Sequence, residues 1–532
     1  MVLQREPHRA RVWGWASPTI NVTAQLDDKL VAFGIANARG NWKIELPPQS
    51  AGAGHTLTIS DGSSTIVLKD IAFGDVFLCS GQSNMQLSVQ GAMNADAEIA
   101  DSIHYPNLRL ATVTQTTSGV PEQNARSAST NYTWARSSPE AFQNHGRISF
   151  SYYSATCYFF GRDLYKRLGG KIPIGLVTSC WGGQRVEAFS SPDALADASC
   201  GGTVLDSPTS ESDYLAETST TSSFDSTNTL LESNFMGDDD GDDFYNNDLM
   251  DGVPKTSLWY GMISPLLPMR FAGAVWYQGE SNADNATSYA CRFPAMIADW
   301  RRKFELEKLP FYYVELAGYK PGVTWPYLRA AQRAALQLDQ VSFATAMDLA
   351  DPSSPNGAIH PRRKQEVGRR LSLSALATQY QKNDIDNKGP QIESFEQDGS
   401  NGRVLLKFSE DTAATLHLQG SADCGICCSI PPFEIMDATG NWTRVARSRV
   451  ERPMSVALEQ IPKGIRVLGI RYAWEAYPQC ILYNGKGGPD DHEGLPATPF
   501  ETCLYPSKEG SWTGRRCRTS APEVAVSLEI EK

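Results

Sequence analysis

The chain has 532 residues, 41% of them hydrophobic and 20% charged, with 48 Lys+Arg against 60 Asp+Glu and a net charge of −12. That length accommodates roughly two to four domains with real cores, and the acidic balance excludes nucleic acid or an anionic membrane as the main partner, because either needs a basic face to displace counterions. No stretch approaches the roughly 18 to 20 consecutive apolar residues of a membrane helix, so no membrane insertion is expected.

Residues 1–72 read as an antiparallel β module. Apolar and polar residues alternate in Arg11–Trp15, Ile20–Thr23 and Trp42–Leu46, with turn residues at 38–41 and 61–64 between them. From 73 to 388 the pattern changes. Short apolar runs (Val76–Cys79, Ile174–Val177, Gly273–Tyr277, Phe311–Val314) alternate with helical periodicity at Ser154–Leu168, Tyr289–Phe304, Tyr327–Leu338 and Lys364–Leu376. Buried strands alternating with helices predict an α/β domain, a largely parallel sheet flanked by helices. Strands return from 389 to 532, as Arg403–Phe408 and Ile465–Ile470, and form a C-terminal β module.

The acidity is local. Asp206 to Asp251 holds thirteen acidic residues and no Lys or Arg, so the rest of the chain is close to neutral. The segment 200–254, rich in Ser, Thr, Asp and Gly, cannot bury enough apolar surface to order itself and is expected to be a disordered insertion. A Ca²⁺ loop at Asp238–Asp243 fails on spacing, because position 247 is Asn where an EF-hand requires Glu. Six of the eleven cysteines (Cys424, Cys427, Cys428, Cys480, Cys503, Cys517) crowd the last fifth of the chain. They are expected to be a disulfide framework rather than a metal site, since only His492 lies near them to complete a zinc set. The sequons at Asn21, Asn131, Asn285 and Asn441 fit a secreted glycoprotein, whereas Met1–Pro7 lacks the apolar core of a signal peptide.

The chemistry concentrates at Gly74–Gln86, where a buried strand runs into a small polar turn carrying Ser83. Open α/β sheets build their sites at such C-terminal strand ends. The turn is not a GxSxG elbow, because Met85 stands where the second Gly would be. Two further polar clusters, Trp181-Gly182-Gly183 and Tyr277-Gln278-Gly279-Glu280-Ser281-Asn282, also follow strands and converge on the same edge. A serine nucleophile needs a base. Of the seven histidines, His8, His55, His417 and His492 lie in the β modules and His104 and His145 in polar loops; His360 precedes a helix at the sheet edge and is the candidate base.

Together GDVFLCSGQSNMQ, SCWGGQRVEAF at 179–189, WYQGESNA at 276–283 and IHPRRKQEVGRRL at 359–371 resemble the sialate O-acetylesterase family, a branch of the SGNH hydrolases. The likeness runs from MVLQR and VWGWASP to GLPATPF at 494–500 and omits only the acidic segment. It implies an SGNH-hydrolase-like sheet and a serine esterase that removes acetyl groups from O-acetylated sialic acids. In that pattern Ser83 is the nucleophile and His360 the base. The Ser83 N–H, the N–H of Gly182 or Gly183 and the Gln278 side chain form the oxyanion hole, with Asn282 as the other choice for the third donor. No metal or organic cofactor is implied.

SGNH enzymes commonly place the triad acid three residues before the histidine, but position 357 is Gly. Asp348 and Asp351 are the nearest carboxylates. A backbone carbonyl could orient the imidazole instead, giving a Ser–His dyad, because the acid's role is to fix the tautomer and stabilise the imidazolium. Arg185 and Gln82 are candidate substrate contacts, Arg185 alternatively a surface salt bridge. Glu280 is either a substrate contact or a buried carboxylate bracing the loops. Two other readings keep the sequence: an acetylesterase on other sugars such as acetylxylan, and an inactive carbohydrate-binding protein. The cysteines imply a lysosomal or extracellular protein whose signal peptide is missing from this chain through N-terminal truncation, with a cytosolic form as the alternative.

Overall fold

The computed structural model describes residues 1–125, 134–143, 150, 152–197, 200, 252–382, 384–398, 402–413, 415–420, 430–451, 453–485, 494–506 and 512–515. Residues 201–251 of the acidic segment, Asn131, Cys424, Cys427, Cys428 and Cys517 lie outside these residues.

The first strands are β1 (Val2–Gln4), β2 (Arg11–Trp15), β3 (Asn21–Leu26), β4 (Lys29–Ile35), β5 (Asn41–Glu45) and β6 (Gly52–Ser60). The next, β7 (Thr65–Gly81), is a single 17-residue strand, so the expected boundary at 72/73 falls inside it. Its first part pairs antiparallel with β6 and its last part lies at the centre of the main sheet. There it is joined by β8 (Leu108–Thr112), β9 (Ala135–Arg136), β10 (Ile174–Cys180), β11 (Gly273–Tyr277), β12 (Phe311–Glu315) and β13 (Val341–Thr345). The order is β13-β12-β11-β7-β10-β8-β9, parallel from β13 to β8 with antiparallel β9 at the edge. The sheet is thus mixed, with its parallel portion central.

Both faces of that portion are covered, which is why its central strands β7, β10, β11 and β12 are predominantly apolar. Helix Ala286–Lys303 covers one face, where Trp276 meets Phe293 and Trp300. Helices Ala155–Arg167 and Lys364–Thr378 pack together on the other, where Phe160 meets Phe77 and Tyr312. The Cys79–Cys157 disulfide ties β7 to the first helix of this pair, and Cys200–Cys291 ties the start of the acidic segment to helix Ala286–Lys303. Neither pairing was expected from the crowding of cysteines at the C-terminus, although Cys480 and Cys503 there are disulfide-bonded too.

The C-terminal part adds antiparallel sheets, one of them ordered Ile392–Asp398, Arg403–Phe408, Ser455–Glu459, Arg447–Glu451. It has its own core around Val404, Leu406, Ile435, Val456 and Ile470. It docks on the α/β part through Arg329, which donates to the Glu475 and Ala476 carbonyls, and through Tyr483, whose hydroxyl donates to Asp348 at 2.8 Å.

Candidate active site

Strand register brings the clusters together. Gly81 is level with Cys180 on one side and Tyr277 on the other, so the segments after β7, β10 and β11 leave the sheet at one height. Glu315 and Thr345 end the next two strands in register, which places the 346–363 loop on the same edge. Gly81 has φ +136°, and a Cβ there would lie 2.2 Å from the Tyr277 carbonyl oxygen, so only glycine permits this turn. Gln82 then starts the short helix Ser83–Gln86. Ser83 is half-buried. Among the described residues neither its hydroxyl nor its backbone N–H is hydrogen-bonded. Gly182 lies beside it: a Cβ on Gly182 would come within 3.2 Å of the Ser83 Cβ.

Glutamines stitch these loops together. The Gln82 Oε1 accepts from the N–H groups of Gly279 (3.4 Å) and Ser281 (3.3 Å), and its residue is buried, so as placed it braces the loop after β11. Gln86 accepts from the Gly182 N–H at 2.8 Å and donates to the Phe150 carbonyl at 3.0 Å. The Gln278 amide donates to the Asn282 Oδ1 (2.7 Å) and the Gln184 carbonyl (3.2 Å). Asn282 donates to Glu187 at 2.9 Å and accepts from the Val186 N–H at 3.0 Å. Both Gln278 hydrogens and the Gly182 N–H are therefore occupied. In this arrangement the two expected oxyanion donors, Gln278 and Gly182, are engaged by protein acceptors. The Gly183 N–H has no partner among the described residues.

The 346–363 loop carries His360 and both candidate acids. His360 Nδ1 lies 2.6 Å from the carbonyl oxygen of Asn356, and its backbone N–H donates to Gly357. Asp351 is held elsewhere, by Arg362 Nε (2.6 Å), Arg362 Nη2 (2.9 Å) and the Arg362 backbone N–H (3.2 Å). Asp348 is fully buried and binds Arg370 at 2.6 and 2.8 Å as well as Tyr483. Neither carboxylate is hydrogen-bonded to His360: Asp351 staples the loop to Arg362, and Asp348 seats the C-terminal module through Tyr483. Burial lowers the His360 pKa to about 4; the Asn356 carbonyl pulls it upward and the Lys364 charge pushes it further down.

Behind Ser83 runs a buried polar chain that sequence reasoning missed. Asn84 donates to Glu280 Oε1 at 2.6 Å and to the Ile359 carbonyl at 2.9 Å, and accepts from Lys364 Nζ at 2.6 Å. Lys364 also sits 4.9 Å from the centre of the Tyr277 ring. Burial raises the Glu280 carboxyl above its ordinary range and lowers the Lys364 ammonium to about 7. Glu280 Oε1 braces the Ser83 turn through Asn84, and its Oε2 is buried without a hydrogen bond among the described residues. Arg185, by contrast, is partly exposed and pairs with Asp284 at 2.8 Å, which is the salt bridge given as its alternative. The only sequence signal for the chain is positional: Asn84 follows Ser83, and Lys364 lies one helical turn beyond His360.

A cavity of about 1280 Å³ opens at the other end of the sheet, lined by Arg5, Asp75, Arg270 and Glu305. Ser83 does not line it, and its charges largely pair with one another.

Comparison with known proteins agrees with an esterase. A family profile described as "Carbohydrate esterase, sialic acid-specific acetylesterase" matches residues 258–376, which contain His360 and the cluster after β11. A carbohydrate acetylesterase from Xanthomonas citri superposes with a TM-score of 0.69 at 26% identity, over 94% of this chain and 96% of that one. The protein is therefore a carboxylic ester hydrolase of the carbohydrate-esterase class. The sialate O-acetylesterase of Mus musculus is 32% identical over 94% of this chain and 92% of its own length, and that of Homo sapiens 30% over 94% and 90%. The chain belongs to the sialate O-acetylesterase family.

Proposed function

We propose that the protein removes O-acetyl groups from sialic acids by two-step acyl transfer, with Ser83 as nucleophile and His360 as general base. The observation that carries this reading is the His360 Nδ1 against the Asn356 carbonyl, on a loop tied by Asn84 to the Ser83 turn. A carbonyl acceptor requires the proton on Nδ1, which leaves Nε2 free to take the Ser83 proton. Ser83 Oγ then attacks the acetyl carbonyl. Ser83 N–H and Gly183 N–H, both without a partner among the described residues, stabilise the oxyanion; losing one such donor typically costs about 10² to 10³ in rate. His360 returns the proton to the departing sugar hydroxyl, and water hydrolyses the acetyl-enzyme by the same steps to give acetate. The edge geometry supports an SGNH-like reading, and separate cores support three parts divided near 72 and 389, although β7 and a few core residues cross those bounds. The disulfides support an oxidising compartment, lysosomal or extracellular.

Arg185 stands beside the glycine pair, and exchange of Asp284 for a sugar carboxylate there would favour sialic acid over neutral sugars. The second reading, an acetylesterase on other acetylated carbohydrates, is favoured by the Xanthomonas citri likeness. Acetate release from 9-O-acetylated sialic acid, measured beside acetylated xylan, separates the two: activity on xylan alone rejects sialic acid. Unchanged activity in Ser83→Ala, or no labelling by a serine-directed fluorophosphonate, would reject the esterase mechanism and leave a carbohydrate-binding protein.

A further inference from the structure

The reading of Ser83 and His360 as nucleophile and base leaves one buried cation without a role. Lysine is almost never fully buried unless paired. Lys364 is 0% exposed, and its ammonium rests on an amide oxygen and a ring face. Asn84 is saturated by the contact. Its two N–H bonds go to Glu280 and Ile359, its Oδ1 receives Lys364, and its backbone carbonyl accepts from Thr156 at 3.1 Å. The residue after the nucleophile and the carbonyl before the base are thereby held by one side chain, and Lys364 holds that side chain from the helix that follows the base.

Charge points the same way. Among the described residues Lys364 faces Asn84 from the Ser83 turn, Tyr277 and Glu280 from β11 and the loop after it, and Asp351 and His360 from the 346–363 loop. His360 faces Lys364, the Asn356 carbonyl and the edge of the Phe150 ring, with ring centroids 5.0 Å apart. A triad would set a carboxylate beside the imidazole and favour its protonated form. Here the charge that acts on the imidazole is the Lys364 ammonium, which is positive.

Building on that nucleophile and base, we propose that Lys364 is a positioning residue for them: through Asn84 it holds the Ser83 turn against the His360 loop, and its ammonium adds to the burial that opposes a charged imidazole. Lys364→Gln keeps a donor for Asn84 and removes the charge, whereas Lys364→Arg keeps the charge. Lys364→Met with Glu280→Gln removes the buried pair together and leaves no carboxylate uncompensated.

The experiment measures kcat and KM for acetate release against pH in the whole chain, alongside circular dichroism and a Ser83→Ala control. Both charge-free variants should lose about 10- to 100-fold in kcat with KM within about twofold. Their acid limb should move up from about pH 4 toward the ordinary histidine value, while Lys364→Arg keeps the wild-type limb. A folded charge-free variant with the wild-type limb overturns the inference, and so does failure of both charge-free proteins to fold, which would make Lys364 structural. Activity surviving in Ser83→Ala would instead overturn the nucleophile assignment, whatever Lys364 does.

Discussion

Asp351→Asn separates a triad from a carbonyl-oriented dyad. In the structure the Asp351 carboxylate makes two hydrogen bonds to the Arg362 guanidinium and one to its backbone N–H, while its side chain is 6% exposed and that of Arg362 27%. Those bonds outweigh the effect of burial and hold the carboxyl below its usual range. Asparagine keeps one acceptor but turns an NH₂ toward the guanidinium, so the bidentate pair is lost. A charge-assisted contact of this kind contributes about 1 to 3 kcal/mol, and the partial exposure of Arg362 favours the lower part of that range. The loss falls on stability and on the firmness of the loop, since His360 Nδ1 bonds Asn356 and not Asp351. kcat should therefore fall by no more than about tenfold. Were Asp351 the triad acid, the wrong tautomer would cost about 10⁴ in kcat, or about 5.5 kcal/mol. Steady-state acetate release, with the rate of fluorophosphonate labelling as a substrate-independent measure of Ser83 reactivity, distinguishes the two. A fall of about 10³ or more at an unchanged thermal midpoint would refute the dyad.

Three further outcomes are expected. The base acts unprotonated, so kcat/KM should fall as pH drops through about 4; at pH 5 about 90% of His360 is then competent, against about 3% for an ordinary imidazole. An acid limb centred near 6.5 would contradict the burial argument. Asp348→Asn breaks a fully buried pair with Arg370 and should cost about 3 to 5 kcal/mol in urea unfolding, with kcat per folded molecule unchanged; a selective loss of kcat would return Asp348 to catalysis. Replacing Cys79 and Cys157 by alanine opens a bridge between residues 78 apart and should cost about 2 to 4 kcal/mol, and a variant as stable as wild type would rule out that disulfide.

What the sequence revealed follows how local each signal is. The apolar runs of β7, β10, β11 and β12 and the periodicity of the two helices packed against Phe77 and Tyr312 are written in consecutive residues, and they were legible. Two strands were not. Leu108–Thr112 carries Arg109 and Val341–Thr345 carries Ser342, polar residues that argue against a buried strand when read alone. Arg109 is 1% exposed because Asp70, distant in sequence, takes two of its hydrogen bonds. The same holds at the site. Ser83 and His360 stand at element junctions that can be read from either side, whereas the direction of a carboxylate in the 346–363 loop depends on Arg362 and Arg370. Lys364, in a run of basic residues opening a helix, reads as a solvated face until Asn84, Tyr277 and Glu280 close over it.

The arrangement around His360 carries a chemical consequence. In a triad the carboxylate stabilises the imidazolium formed as the nucleophile attacks, and it also raises the pH at which the resting base is lost. A carbonyl dipole fixes the same tautomer without a full negative charge, and a nearby ammonium acts in the opposite sense. The resting base then survives in acid, while the imidazolium formed during attack gains less stabilisation. More of the transition-state charge must consequently be met at the oxyanion, where Ser83 N–H and Gly183 N–H are unoccupied and Gln86 fixes the neighbouring Gly182. On this reasoning the Gln86 side chain matters to the reaction although it touches no reacting atom, because it sets the glycine turn that aims the second donor.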